Sequence, residues 1–431
     1  MSLALSPKRT ALMPGPWAKN DLWRKAKAVP SLDLRFAESK SLADAVTGQS
    51  LVTFTRASSG TYVDSDGLIK TAATNAPRFD HNPSTGESLG LLVEEARTNL
   101  LTYSEQFDNA NWIKYQTTVT ANAAVAPDGN TTADLLAENT STDVHLCRTA
   151  YVITAQKTFS VFAKQSGRSI IQLFCSGTTD YANFDLGNGV LGVVSAGISA
   201  TITALSNGWY RCSIYFPAVP DYVQVALCTS TSAGRGGSSY AGNGTSGIYL
   251  WGAQAEAGAS PTSYIPTTTA SVTRSADVAS ITGAGLLSFF NNAQGTFYAA
   301  AATSSSSASA NQMIVSAGDG AAAANQITIY RSGASLLSIV SSAGVLQVNQ
   351  NSGISAASYK FGFGYQANNF GFSVNANTAQ TSSSGATPVV VNTLDIGKWH
   401  VSSSGYWNST ISRLTYWPQR LSNPTLQAIT Q

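Results

Sequence analysis

Charge is what this 431-residue chain is short of: Asp, Glu, Lys and Arg make up 11% of it, against roughly a quarter of an average soluble domain. Ser, Thr, Asn, Ala and Gly fill the gap. Exposed helix faces draw on Glu, Lys and Arg, which lose little rotamer freedom there. Surfaces of Ser, Thr and Asn suit strands and turns. Composition alone therefore predicts an all-β protein, and the length predicts more than one core. Long apolar runs are missing too. No stretch approaches the roughly 20 residues of a membrane helix, and the N-terminus lacks the apolar core of about 7–15 residues that marks a secretory signal. The expectation is a protein assembled in a cytoplasm, where the Asn-x-Ser/Thr triplets at Asn130, Asn139, Asn243 and Asn408 arise by chance. No sustained heptad and no repeat of about 20–50 residues is found, so neither a coiled-coil shaft nor a solenoid is expected.

The residues of covalent and metal chemistry are equally sparse. The four cysteines, Cys147, Cys175, Cys212 and Cys228, form no CxxC pair and lie in apolar or alternating runs. They read as buried free thiols rather than zinc ligands. His81, His145 and His400 are far apart, and no HExxH, G-x-S-x-G or nucleotide-binding glycine pattern occurs. No enzyme, cofactor or metal is expected. The turn Asp64-Ser65-Asp66-Gly67 lacks the distal Glu of a calcium loop and reads as a hairpin turn. The net charge is +2, with no basic field in the body for nucleic acid.

Residues 1–30 stand apart. Lys8, Arg9, Lys19, Arg24, Lys25 and Lys27 face only Asp21, and Trp17 and Trp23 sit among prolines. Such a segment cannot bury enough surface to order alone. It reads as an extended arm that lies on a partner, with Lys8, Arg9, Trp17, Trp23, Arg24 and Lys25 as contacts; the alternative is an arm docked on its own body. Residues 31–98 read as short strands and a hairpin resting on the next domain, with Leu91–Ala96 open between strand and helix. Residues 99–280 carry the clearest period-two runs: Phe159, Val161 and Ala163; Tyr210, Cys212, Ile214 and Phe216; Val223, Val225 and Leu227. A Thr-rich linker follows Pro266. Residues 281–431 form a second β unit with Ile327 and Ile329, then Phe361, Phe363 and Tyr365, in alternation, and with Thr303–Ala310 as a loop. Ser422, Pro424 and the Leu421–Leu426 pair predict a short closing helix. The fold class is all-β: two jelly-roll or β-sandwich domains behind an extended arm.

At residues 89–112 the chain reads Leu89-Gly90-Leu91-Leu92-Val93-Glu94-Glu95-Ala96-Arg97-Thr98-Asn99-Leu100-Leu101, then Ser104-Glu105-Gln106-Phe107 and Trp112. This resembles the signature of tailed-phage head-spike fibre and tail-fibre proteins. Phe54-Thr55-Arg56-Ala57-Ser58 and Asn75-Ala76-Pro77-Arg78-Phe79-Asp80 upstream, and Gly252–Gly258, Ser263–Thr267 and Thr273-Arg274-Ser275-Ala276-Asp277 downstream, match segments that flank it. The resemblance covers about residues 32–280 and implies a carbohydrate-binding-module-like jelly roll. Leu394–Gly397 and Tyr406–Ser422 look like the last strands of a laminin-G/concanavalin-like domain, although Trp407-Asn408-Ser409-Thr410 stands where that family commonly has Asn-Gly. What the resemblance implies is a virion structural protein, assembled in a bacterial cytoplasm and docked on capsid or tail proteins through its arm. It also implies a homo-oligomer, often a trimer in such fibres. Glu94, Glu95, Arg97, Asn99, Arg56 and Arg274 are expected to tie strands together by ion pairs rather than to form a catalytic carboxylate pair.

Flat aromatics with amides nearby suit sugar rings and hydroxyls. Trp399, Tyr406, Trp407 and Asn408, with Tyr240 and Asn243 in the Gly-rich loop, are the candidates for binding a host glycan. The competing reading is that Trp and Tyr fill sandwich cores: it is favoured for Trp209, Trp251 and Trp417 and evenly balanced for Trp399 and Trp407. The functional expectations are a virion fibre or spike, then a lectin-like glycan-binding module, and last a polysaccharide depolymerase.

Overall fold

The computed structural model describes residues 21–150, 157–218, 221–303, 308–320, 322–402 and 404–431. They fold almost wholly into antiparallel sheet, and one β-sandwich is inserted into another.

The inserted sandwich is built from two six-stranded sheets. Its inner sheet runs Ser199–Ala204, Tyr210–Phe216, Lys157–Ser166, Gly247–Ala257, Thr131–Glu138, Thr117–Val125. Its outer sheet runs Val190–Val194, Tyr181–Asp185, Ile170–Cys175, Val223–Cys228, His145–Thr149, Trp112–Tyr115. Alternation assigns the faces. Phe159, Val161, Cys212, Ile214, Ile171, Leu173, Val225 and Leu227 meet between the sheets. All four cysteines are buried and free.

The host sandwich takes strands from both ends of the chain. One sheet runs Gln380–Ser382, Phe370–Val374, Ser358–Gln366, Gln294–Ala302, Ser409–Trp417, Ser88–Val93, Phe79–His81, and Leu32–Leu34 also pairs with Ser409–Trp417. The facing sheet runs Thr53–Thr55, Val278–Thr282, Thr393–Ile396, Ala308–Gly318, Gln326–Gly333, Ser335–Ser342, Val345–Asn351. Thus residues 31–98, expected to rest on the following domain, instead supply strands to the domain of residues 281–431. The physical reason is that Leu32, Leu34, Leu91 and Val93 are apolar and find their core there. The hairpin Gly60–Val63/Ile69–Ala72 leans on the inserted sandwich through Ile69, and Ser84 donates to the Ala204 carbonyl. Leu91–Val93 is strand, and the stretch read as a loop at Thr303–Ala310 gives its end to Ala308–Gly318.

The two chain segments that join insert and host are themselves paired. Arg97–Asn99 runs antiparallel to Val272–Arg274, with Thr98 opposite Thr273. Two close approaches need glycine. Gly67 closes the Asp64 turn at φ +76°, where the Asp64 carboxylate accepts from the backbone N–H of Asp66 and Leu68, both at 2.9 Å. Gly90 has φ +101°, and a Cβ there would lie 2.3 Å from the Ile411 carbonyl oxygen. At the end of the chain Ser422 caps helix Asn423–Ile429, and Leu421 and Leu426 are both buried, as the sequence predicts.

Candidate functional site

The signature residues form a buried ionic junction at the neck of the insert. Asp277 accepts from Arg56 at 3.1 Å, from Arg78, and from the Glu94 backbone N–H at 2.9 Å. Glu94 pairs with Arg78 at 2.8 Å and Arg274 at 3.4 Å, and accepts from the Ser263 backbone N–H at 2.8 Å and hydroxyl at 2.7 Å. Burial pushes the Glu94 carboxyl up, but Arg274, Arg78 and Ser263 together outweigh it and hold it down at about 2. Glu95 takes Arg97 and the Asn408 amide, and Asn99 bridges the carbonyls of Ala253 and Ile265. These groups are occupied in holding strands from both sandwiches, as expected for ion pairing. Arg78 completes the junction. Its segment matched the flanking pattern, but nothing local to it in sequence gave the side chain a role.

The candidate arm residues separate. Lys8, Arg9 and Trp17 lie outside the described residues. Trp23, Arg24 and Lys25 fall in the short helix Asp21–Ala26. Trp23 is not free for a partner: it is buried against Trp417, Leu421 and Leu426, and its Nε1 donates to Asp33 at 2.9 Å. Its indole is a better fit to an apolar groove of its own fold than to solvent. Arg24 and Lys25 both pair with Asp21, Lys25 at 3.1 Å.

The glycan candidates are not brought together. Tyr406 and Trp407 are buried in the host core, so the sugar-stacking reading is corrected to core for both. Trp407 Nε1 donates to the Thr410 carbonyl at 3.3 Å. Asn408 is held by Glu95, accepting from its backbone N–H at 2.9 Å. Trp399 is half-buried, its Nε1 3.4 Å from Gln326 Oε1. Tyr240 and Asn243 belong to the inserted sandwich. Tyr240 donates to Glu138 at 2.7 Å, and its ring is packed by Arg168 at 4.8 Å and His145 at 4.5 Å. Asn243 is exposed, but its side-chain oxygen is used by the backbone N–H groups of Thr245 and Ser246. Trp209, Trp251 and Trp417 are buried, as expected.

A different surface has the chemistry sought. On the side of the outer sheet turned away from the inner one, register places Ile113, Arg148, Gln224, Phe174 and Tyr181 in one row across five strands, Gln224 and Phe174 being its buried floor. At about 4.8 Å between strands, that row spans about 19 Å. Ile113 in the row is 39% exposed, and Tyr115 beside it 45%. The Arg148 guanidinium lies over Tyr222 at 4.4 Å and that of Arg235 over Phe174 at 5.5 Å. Each donates to a main-chain carbonyl, of Thr149 at 3.1 Å and Cys175 at 2.6 Å. Neither is tied to a carboxylate among the described residues, which leaves most of each fork of donors open. The segment of residues 229–246 walls one side, pinned where Gln172 accepts from Gly236 N–H at 2.6 Å. The sequence reading missed this row because its members come from five strands, each contributing one residue.

No protein-family model and no curated protein sequence matches the chain. Solved structures similar to part of it include the carbohydrate-binding module of the Ruminococcus gnavus IT-sialidase bound to α2,3-sialyllactose, at 16% identity and TM-score 0.31 over 34% of this chain and 88% of that one. A variant of the Streptococcus pneumoniae NanB sialidase matches at 12% identity and TM-score 0.28, over 35% of this chain and 26% of that one. Trypanosoma rangeli sialidase with sialic acid matches at 10% identity and TM-score 0.27, over 69% of this chain and 60% of that one. What those proteins bind is said of them; the chemistry of this chain is carried by its own residues.

Proposed function

We propose that the chain is a non-catalytic glycan-binding protein whose ligand lies across the solvent side of the outer sheet. The observation that carries this is the row of Ile113, Arg148, Gln224, Phe174 and Tyr181, with the guanidinium forks of Arg148 and Arg235 beside it, neither on a carboxylate among the described residues. Exposed Tyr115 offers a ring face to sugar C–H groups. The arginines offer guanidinium donors to hydroxyls, and guanidinium forks match carboxylates, so sugars bearing a carboxylate are favoured. The non-catalytic part of the reading is supported by Glu94 and Glu95. These adjacent carboxylates are occupied by arginines and cannot serve as a glycosidase pair.

Glycan-array binding by the purified chain tests this. A charged hydrogen bond contributes roughly 1.5–3 kcal/mol, so Arg148→Ala is expected to weaken binding at least about tenfold with unchanged melting. Retention of no glycan at millimolar ligand would overturn the reading.

We further propose that this body is displayed on a tailed-phage particle as a fibre or spike subunit, with the basic N-terminal segment as its attachment element. The support is the signature around Glu94, Arg97, Asn99 and Arg274, whose residues hold the neck between the two sandwiches. Deleting residues 1–20 spares the helix that carries Trp23. The deletion should leave the body folded and absent from purified particles; normal incorporation would refute the attachment role.

A further inference from the structure

The opposite side of the inserted sandwich faces its host across a cleft of 370 Å³. Five distant segments meet there: the hairpin around Tyr62, the strand Phe79–His81, the inner-sheet edge Ser199–Ala204, residues 260–264, and Asn408–Thr410. Junctions of this kind and size are common small-molecule sites. The strand Phe79–His81 meets a bulge in its partner here. Its pairing with Ser88–Val93 shifts register between Asp80 and His81. The extra residue is Leu89 on the partner strand, and the two consecutive side chains Asp80 and His81 reach the same neighbour. Asp80 Oδ1 accepts from the Val63 backbone N–H at 2.6 Å, and His81 Nδ1 lies 2.9 Å from the Val63 carbonyl oxygen.

That arrangement fixes what is left over. A carbonyl oxygen only accepts, so His81 Nδ1 carries a proton, and in the neutral ring Nε2 is a bare acceptor. His81 is 5% exposed, and its Nε2 is buried with no partner among the described residues. An orphaned acceptor of this kind costs roughly 1–3 kcal/mol. The second oxygen of Asp80 likewise takes no hydrogen bond among the described residues. Arg211 does not fill the need: its terminal nitrogens donate to the Thr262 carbonyl at 2.7 Å and Ser160 hydroxyl at 3.0 Å. Tyr62, Leu89 and Leu205 supply an apolar wall beside Thr and Ser residues of the lining.

We propose that this cleft binds a monosaccharide-sized, uncharged polyhydroxylated ligand, a vicinal pair of its hydroxyls donating to the free Asp80 oxygen and to His81 Nε2 while its ring lies on the apolar wall. This goes beyond the outer-face reading and does not depend on it, because Arg148 is on the other sheet. A free sugar and the end of a glycan present the same diol. Protonation of Asp80 removes its free acceptor. Burial pushes the Asp80 carboxyl up to about 6, the Val63 N–H, Arg78 and His81 opposing and Glu94 adding. Of the other ionisable groups lining the cleft, Arg211 is fixed as described, Glu94 is held by Arg78 and Arg274, and Tyr62 and Tyr264 are phenols. Binding therefore weakens as the pH falls below about 6.

The test is calorimetric titration of the full chain near neutral pH with neutral monosaccharides and, side by side, their oligomers. Monosaccharide binding as tight as oligomer binding identifies a free sugar; binding of oligomers alone identifies a chain end. Either is expected at one site per chain. Asp80→Asn keeps an acceptor for Val63 N–H but turns the free oxygen into a donor, and should weaken binding at least about tenfold. Thr203→Trp, at an exposed lining position, should abolish it. Arg148→Ala should leave it intact. No binding of any neutral saccharide at tens of millimolar would overturn the proposal. So would unchanged binding by the Thr203→Trp protein, or loss on Arg148→Ala, which would put the sugar on the outer face.

Discussion

Replacing Asp277 by Asn removes one charge from the most deeply buried part of the molecule. Arg56, Arg78, Arg274, Glu94 and Asp277 are all essentially inaccessible to solvent. Three cations and two anions leave the cluster at +1, and the substitution takes it to +2. Asparagine can still accept from the Glu94 backbone N–H, but its amide cannot pair with Arg56 and Arg78. Two charge-assisted hydrogen bonds at roughly 1.5–3 kcal/mol each give a loss of about 3–6 kcal/mol. Breaking a buried pair on one side costs roughly 3–5 kcal/mol by other routes, so about 4 kcal/mol is expected. That is a large part of the roughly 5–15 kcal/mol a domain has to spare. Urea unfolding followed by tryptophan fluorescence measures it. Adding Arg56→Met removes one of the stranded cations, so the double variant should be more stable than the sum of the two single losses by about 1–3 kcal/mol. A loss under about 1 kcal/mol for Asp277→Asn, or strict additivity in the double variant, would refute the view that the junction acts as one ionic unit.

Asp80→Asn should stabilise the fold near neutral pH. The folded carboxyl sits at about 6 against a reference of 3.8, so the native state holds the proton more tightly and stability falls as pH rises between those values. Allowing for water at the cleft mouth, the gain is roughly 2 kcal/mol; thermal melting reads it, and no gain above pH 6 would contradict the assigned burial. Gly90→Ala should prevent a stable host sandwich, because φ +101° and a 2.3 Å approach to the Ile411 carbonyl both exclude a Cβ; soluble protein with an unchanged melting curve would be the contrary result. Native protein should resist thiol reagents. Burial pushes Cys147 and Cys228 up to about 12 and Cys175 up to about 11, and reagent uptake without denaturant would contradict it.

What could be read from the sequence was what depends on near neighbours. Cys212, Ile214 and Phe216 alternate, and they alternate into the core. Asp64 and Gly67 make their turn from a carboxylate and a positive φ, both local. Ser422 caps its helix from one residue away. The ion-pair role of Glu94 was legible because its residue types had few other uses, but its partners Arg78 and Asp277 lie far along the chain in either direction. Trp407 looked as suited to a binding face as to a core, since a turn residue beside an indole says nothing about which sheet closes over it. The outer-face row and the cleft share the deeper difficulty. Arg148 and Phe174 become neighbours only through the strand Val223–Cys228 between them. Asp80 and His81 come together only on Val63, 17 and 18 residues earlier.

The strand Ser409–Trp417 lies between Gln294–Ala302 on one side and Leu32–Leu34 and Ser88–Val93 on the other. Arg413 closes on Asp33, 380 residues earlier. On a ribosome adding roughly 5–20 residues per second, that gap amounts to about 20–75 s. All strands of the inserted sandwich emerge within it, so the insert can close while its host is still two halves. During that interval the first host strands present open edges and apolar faces with no partner yet made. The order of synthesis thus makes the host the late and aggregation-exposed step. Arresting translation before residue 409 should yield a protease-resistant insert carried by a protease-sensitive host.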